Sequence, residues 1–108
     1  QSISLLKRPN RPTAIFAGSD LQAMGVYEAA RQLGLRIPED LSVVGFDDVQ
    51  TAAFLGPALT TVRQPLQDMA RAAVRMLIEA LSTDDVIQPH IIMPTSLVVR
   101  NSTQQLEG

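Results

Sequence analysis

Residues 41–48, LSVVGFDD, constrain the fold of this chain more than any other stretch. Five of the first six positions are apolar or glycine, with β-branched Val43 and Val44 side by side. A short continuous run of this kind predicts a strand covered on both faces, as in a parallel α/β sheet. Two carboxylates, Asp47 and Asp48, follow at once. That places acid at the carboxyl end of a buried strand, the rim where open α/β sheets bind their ligands.

The flanking sequence supplies the partners such a strand needs. Residues 13–18, TAIFAG, predict a first strand, again apolar without alternation and hence covered on both faces. Ser19 and Asp20 can each cap the helix that follows. The helix spans 21–33, with Leu21, Met24, Ala30 and Leu33 near the face that packs on the sheet. Gly34 is its stop, where a left-handed conformation costs little. Strand, helix and strand at this spacing form a βαβ unit. Residues 49–55 read as one or two helical turns ended by Gly56 and Pro57, and 59–62 as a third strand. Pro65 suits a first helical position, and an apolar stripe of Leu66, Met69, Ala70, Ala73, Leu77, Ala80 and Leu81 carries a helix to residue 81. A polar turn at 82–85 precedes strands at 91–93 and 96–100, separated by Pro94, which removes a ladder donor. The tail from Asn101 is polar and reads as frayed.

Composition narrows the function. The 108 residues suffice for one modest domain, and the formal net charge of −2 argues against a phosphate-binding surface. The chain has no Cys, which excludes disulfides, thiolate metal sites and Cys nucleophiles. No apolar run approaches the roughly 18 residues of a membrane span, and no signal peptide is legible, so a cytoplasmic protein is expected. His90, the single histidine, has no second ligand or nucleophile pattern beside it and reads as strand surface. The basic cluster of Lys7, Arg8 and Arg11 reads as solvated. No metal, cofactor or catalysis is expected.

Three matching stretches give the chain a family resemblance. They are RPTAIFAGSDLQAMGVYEAARQLGLRIPEDLSVVGFDDV, then PALTTVRQP, then MPTSLVVRNST. In this order and spacing they resemble the C-terminal part of the lactose-repressor/galactose-repressor (LacI/GalR) family of bacterial transcription regulators. The resemblance implies a partial periplasmic-binding-protein-like (type I) α/β fold with a parallel sheet. It implies that residues 1–62 belong to the C-terminal lobe of a two-lobed effector core. Residues 63–94 would join the N-terminal lobe, 95–103 would return, and 104–108 would be a tail. It further implies a small-molecule effector, commonly a sugar, a homodimer, and DNA contact only through a helix-turn-helix domain outside this chain. A transport-type sugar-binding protein of the same core is the alternative.

Site residues carry over position by position. Asp47 matches a carboxylate that faces the cleft and accepts hydrogen bonds from effector hydroxyls; the other reading is a cap for the turn that follows. Asp48 reads as that cap or as a loop contact. Ser19 matches a position that is Asn in some relatives and contacts ligand; as Ser it equally reads as an N-cap. Gln64, at a lobe crossing, matches a position near the ligand, with a hinge or surface role as the other reading. Leu66 matches an aromatic position in some relatives and here reads as core. Dimer contacts carry over to Met24, Tyr27, Phe54 and Leu55, with packing inside the lobe as the alternative for each.

Overall fold

The computed structural model describes residues 2–82 and 92–106. The chain begins with α1 (Ser2–Leu6), and the first strand is β1 (Ala14–Phe16). It is followed by α2 (Asp20–Leu33) and by β2 (Ser42–Asp47), the stretch that dominates the sequence. A 3-10 turn (Gln50–Phe54) leads to β3 (Thr60–Arg63). α3 (Leu66–Ser82) and β4 (Ser96–Val98) complete the order.

The sheet runs β1-β2-β3-β4. β2 is parallel to both neighbours, with Ile15 opposite Val43 on one side and Asp47 opposite Arg63 on the other. β4 is antiparallel to β3, with Leu97 opposite Val62. The expected parallel pairing across 13–62 is therefore present.

Local rules account for α2. Ser19 is extended at φ −158° and its Oγ accepts from the Gln22 N–H, satisfying one orphan donor of the first turn. Gly34 ends the helix at φ 71°, and the Leu35 N–H closes the turn on the Ala30 carbonyl at 2.9 Å. The face toward the sheet differs from the one expected. Asp20, Ala23, Val26, Ala29 and Ala30 are buried, whereas Leu21 is 76% exposed and Met24 only half-buried. Asp20 takes the inward position of the first turn, and Leu21, one residue on, is rotated about 100° away from it. The alanines let the helix lie close against Leu41, Val43 and Leu59, which are fully buried.

Coverage of the sheet on both faces is the second expectation that fails. Burial along β2 alternates, with Val43 and Gly45 buried and Ser42, Val44 and Phe46 half-buried. Phe16 is 66% exposed and Leu97 60%. One face packs under α2 while the other lies at the surface, despite an apolar composition suited to a covered strand.

The tail is not frayed where the structure describes it. Ser102 is fully buried; its hydroxyl donates to the Val43 carbonyl and accepts from the Thr60 N–H at 2.8 Å, and its own carbonyl accepts from the Val43 N–H at 2.9 Å. One polar residue thus satisfies backbone groups of two strands, which is why a polar tail orders.

Residues up to Arg63 together with those from Ser96 form one compact unit, and Gln64–Thr95 another. Within the second, α3 forms as the stripe predicts, yet none of its residues is buried, and Leu66, expected in a core, is 57% exposed. Residues 92–95 carry no regular structure, so no strand forms over Ile92 and Met93. His90, Ile91 and most of the 82–85 turn lie outside the described residues.

Candidate functional site

The parallel strands β1, β2 and β3 end at a common rim, and the chain leaves β2 there in an unusual conformation. Asp47 has φ 115° and Asp48 φ 56°, two consecutive non-glycine residues in the left-handed half of backbone space. Each such residue costs about 1–3 kcal/mol and persists only where its surroundings enforce it.

Three segments enforce it here. The Asp48 N–H donates to Thr61 Oγ1 at 3.3 Å, and the Val49 N–H donates to Asp20 Oδ2 at 2.7 Å. The Thr61 hydroxyl donates in turn to Asp20 Oδ1 at 2.6 Å. Asp20 and Thr61 are both fully buried. The Asp48 carboxylate accepts from Arg63 Nε at 2.7 Å and from Arg100 Nη2 at 2.8 Å, with its side chain only 9% exposed. Arg100 also donates through Nη1 to the Leu59 carbonyl at 2.8 Å, and its backbone N–H donates to Thr60 Oγ1 at 2.9 Å. Burial by itself raises the Asp48 pKa, but the bonds and charges of Arg100 and Arg63 together outweigh it and hold the carboxyl below its ordinary value.

Gly45 completes the arrangement. A Cβ there would lie 2.3 Å from Asp20 Oδ1 and 2.9 Å from Leu59 Cδ2. Only glycine lets the Asp20 carboxylate lie against the strand.

The sequence-derived residues fall as follows. Asp47 ends β2 at the rim, half-buried. The 3-10 turn begins after Val49, whose apolar side chain offers it no cap bond. Asp48 instead joins two arginines, one on β3 and one just past β4. Ser19 stands at the same rim and caps α2. Gln64, half-buried, directly follows Arg63 in the chain and belongs to the second unit. Of the four dimer candidates, Phe54 is 83% exposed and Leu55 packs against the core. Tyr27 is half-buried, and its hydroxyl donates to the Pro57 carbonyl at 2.7 Å. Burial raises its pKa, against a smaller opposing effect of the Ser102 hydroxyl. Met24 lines a shallow surface groove beside Tyr27, Gly56 and Pro57.

Sequence reasoning read Asp20 only as one of two helix caps and did not single out Thr61, Arg63 or Arg100. One signal was available: a glycine inside a strand marks a close approach, and Gly45 marked that of Asp20. Among the described residues no group of three acidic, His or Cys side chains could hold a metal, and no helix is long and apolar enough to cross a membrane.

This is a mixed α/β domain with a mostly parallel sheet and an acidic rim. The periplasmic binding protein-like domain family matches residues 1–103, and the chain belongs to that family. Its relatives are LacI-type transcriptional regulators. The HTH-type transcriptional regulator MalR of Streptomyces coelicolor is 47% identical over 96 residues, which cover 89% of this chain and 28% of that protein. The ribose operon repressor of Haemophilus influenzae is 38% identical over 104 residues, 96% of this chain and 31% of the repressor. A LacI family transcriptional regulator from Enterococcus faecium, crystallised with bound ribose, superposes with a TM-score of 0.87 at 27% identity, covering 98% of this chain and 39% of that one. The chain thus spans about a third or less of the length of the curated relatives it matches.

Proposed function

We propose that this chain is the effector-sensing and dimerisation region of a bacterial transcriptional regulator, acting without catalysis in the cytoplasm. The observation that carries the reading is Asp47, held at φ 115° where the middle strand of three parallel strands meets the sheet rim. A carboxylate there accepts two charge-assisted bonds from neighbouring hydroxyls, which suits a sugar. Ser19 and Gln64 are the proposed additional contacts. The bound ribose of the Enterococcus faecium regulator supports a sugar-like effector.

In this reading residues 1–62 and 95–103 belong to one lobe and 63–94 to the other. Division of the chain into units at Arg63/Gln64 and Thr95/Ser96 supports it. Effector binding shifts the equilibrium between open and closed lobes, to the extent that the closed state offers it more contacts. A homodimer formed through Met24, Tyr27, Phe54 and Leu55 passes that shift to DNA-binding domains outside this chain. The 83% exposure of Phe54 favours the contact.

The test is a chimera in which these residues replace the matching region of the Enterococcus faecium regulator. Calorimetry should detect ribose binding to the chimera, and Asp47→Ala should weaken it about 10–100-fold, the worth of a lost charge-assisted contact. The 108-residue chain alone should give no ribose heat, because it spans only about a third or less of the length of its curated relatives. Unchanged affinity in Asp47→Ala would refute the assignment.

A further inference from the structure

We propose that Asp20 is a positioning residue for the effector carboxylate, acting through Thr61 and the 47–49 turn; this rests on the effector reading of Asp47. Asp20 and Thr61 are fully buried, so neither reaches a ligand in this fold. What they reach is the backbone immediately after Asp47. The Asp48 N–H is taken by Thr61 Oγ1 and the Val49 N–H by Asp20 Oδ2. The Thr61 hydroxyl closes the set by donating to Asp20 Oδ1. Both amides of a turn with two consecutive positive φ angles are therefore held by one carboxylate and one hydroxyl.

The neighbours of Asp20 are arranged for this use. Ser19 caps α2 through its own Oγ, which leaves the Asp20 carboxylate to reach across to β3 and to Val49. Its place at the first helical residue favours a negative group, since the N-terminal end of a helix carries partial positive charge. Gly45 gives it room on β2, where any side chain would collide with Oδ1. Where the turn is held, the direction of Asp47 is held with it.

Three variants separate positioning from stability. Asp20→Asn retains the size but removes one acceptor. Thr61→Val retains the shape but removes the hydroxyl, and Thr61→Ser restores the hydroxyl without the methyl. In the ¹⁵N-labelled 108-residue chain, Asp20→Asn and Thr61→Val should move the HN–Hα couplings of Asp47 and Asp48 from wild-type values. The same two should speed exchange of the Val49 amide at least tenfold, with the α2 amides unchanged. Thr61→Ser should match wild type. If Asp20→Asn does not fold, the two Thr61 variants decide alone. Wild-type couplings in Thr61→Val, or a Thr61→Ser spectrum like that of Thr61→Val, would overturn the proposal.

In the ribose-binding chimera, Thr61→Val should raise the Kd at least tenfold and Thr61→Ser should not. A chimera that binds no ribose even as wild type would sink the effector reading, while the couplings would still report whether Asp20 and Thr61 set the turn.

Discussion

Around β2, Leu41, Val43, Leu59, Asp20 and Thr61 are all fully buried, whereas α3 contains no buried residue although its apolar stripe is the longest in the chain. Leu77, Ile78 and Leu81 of α3 are 61%, 57% and 81% exposed. The two regions differ in what their order rests on. The first combines apolar burial with a polar network that spans three segments, in which the buried side-chain oxygens of Asp20 and Thr61 have partners. The second is stabilised by the backbone bonds and propensities of one helix, which alone are marginal in water. An apolar pattern therefore states what a segment needs covered; it does not supply the cover. The rim is where function is proposed, and it is also where the backbone is strained. A strained turn is compatible with folding only beside a core that resists its relaxation.

Four substitutions would break or sharpen this contrast. Gly45→Ala should have the largest effect, a loss on the order of 4 kcal/mol, from overpacking against Leu59 and displacement of the Asp20 carboxylate. Urea unfolding measures it, and a loss below about 0.5 kcal/mol would show that the approach of Asp20 is not tight.

Asp48→Ala should cost about 3 kcal/mol, the low end for breaking a nearly buried pair, because Arg63 on its far side is 56% exposed. The same carboxylate gives an acid signature. Its folded pKa is lowered, so its stabilisation is fully present above the ordinary carboxylate value and is lost as pH falls through the folded value. Acid unfolding of wild type should be steeper below the ordinary carboxylate range than that of Asp48→Ala. Superimposable pH profiles would rule out this ion-pair contribution.

Asp47→Gly should act in the other direction, raising stability by up to about 1 kcal/mol through relief of the positive φ, while weakening ribose binding in the chimera about 10–100-fold. A more stable variant with weakened binding would show that the strain serves the site; clear destabilisation would show that it does not. Leu77→Ala should have the smallest effect, a loss under about 0.5 kcal/mol by urea unfolding. A larger loss would mean that α3 is covered in solution.

Much of the fold was legible residue by residue. Ser19 as cap, Gly34 as stop and the start of α3 after Pro65 are local devices whose causes lie within a turn of chain. Asp47 could be placed at the rim because strand ends are legible from an apolar run. The partners of Asp48 could not, since Arg63 and Arg100 stand 15 and 52 positions away. The tail at Ser102 looked like ordinary polar loop because its bond to the Val43 carbonyl spans 59 positions.

By itself the sequence determined the alternation of strands and helices, the parallel pairing of the first three strands, and the family, because hydrophobic period, capping chemistry and motif order are properties of neighbouring residues. Tertiary structure alone decided which face of the sheet is covered, that Asp20 rather than Leu21 turns inward, and that Asp48 joins two arginines. Those choices depend on which polar groups packing brings within hydrogen-bond reach. A buried carboxylate is stable only where such partners arrive, and here they come from 29 and 41 positions away.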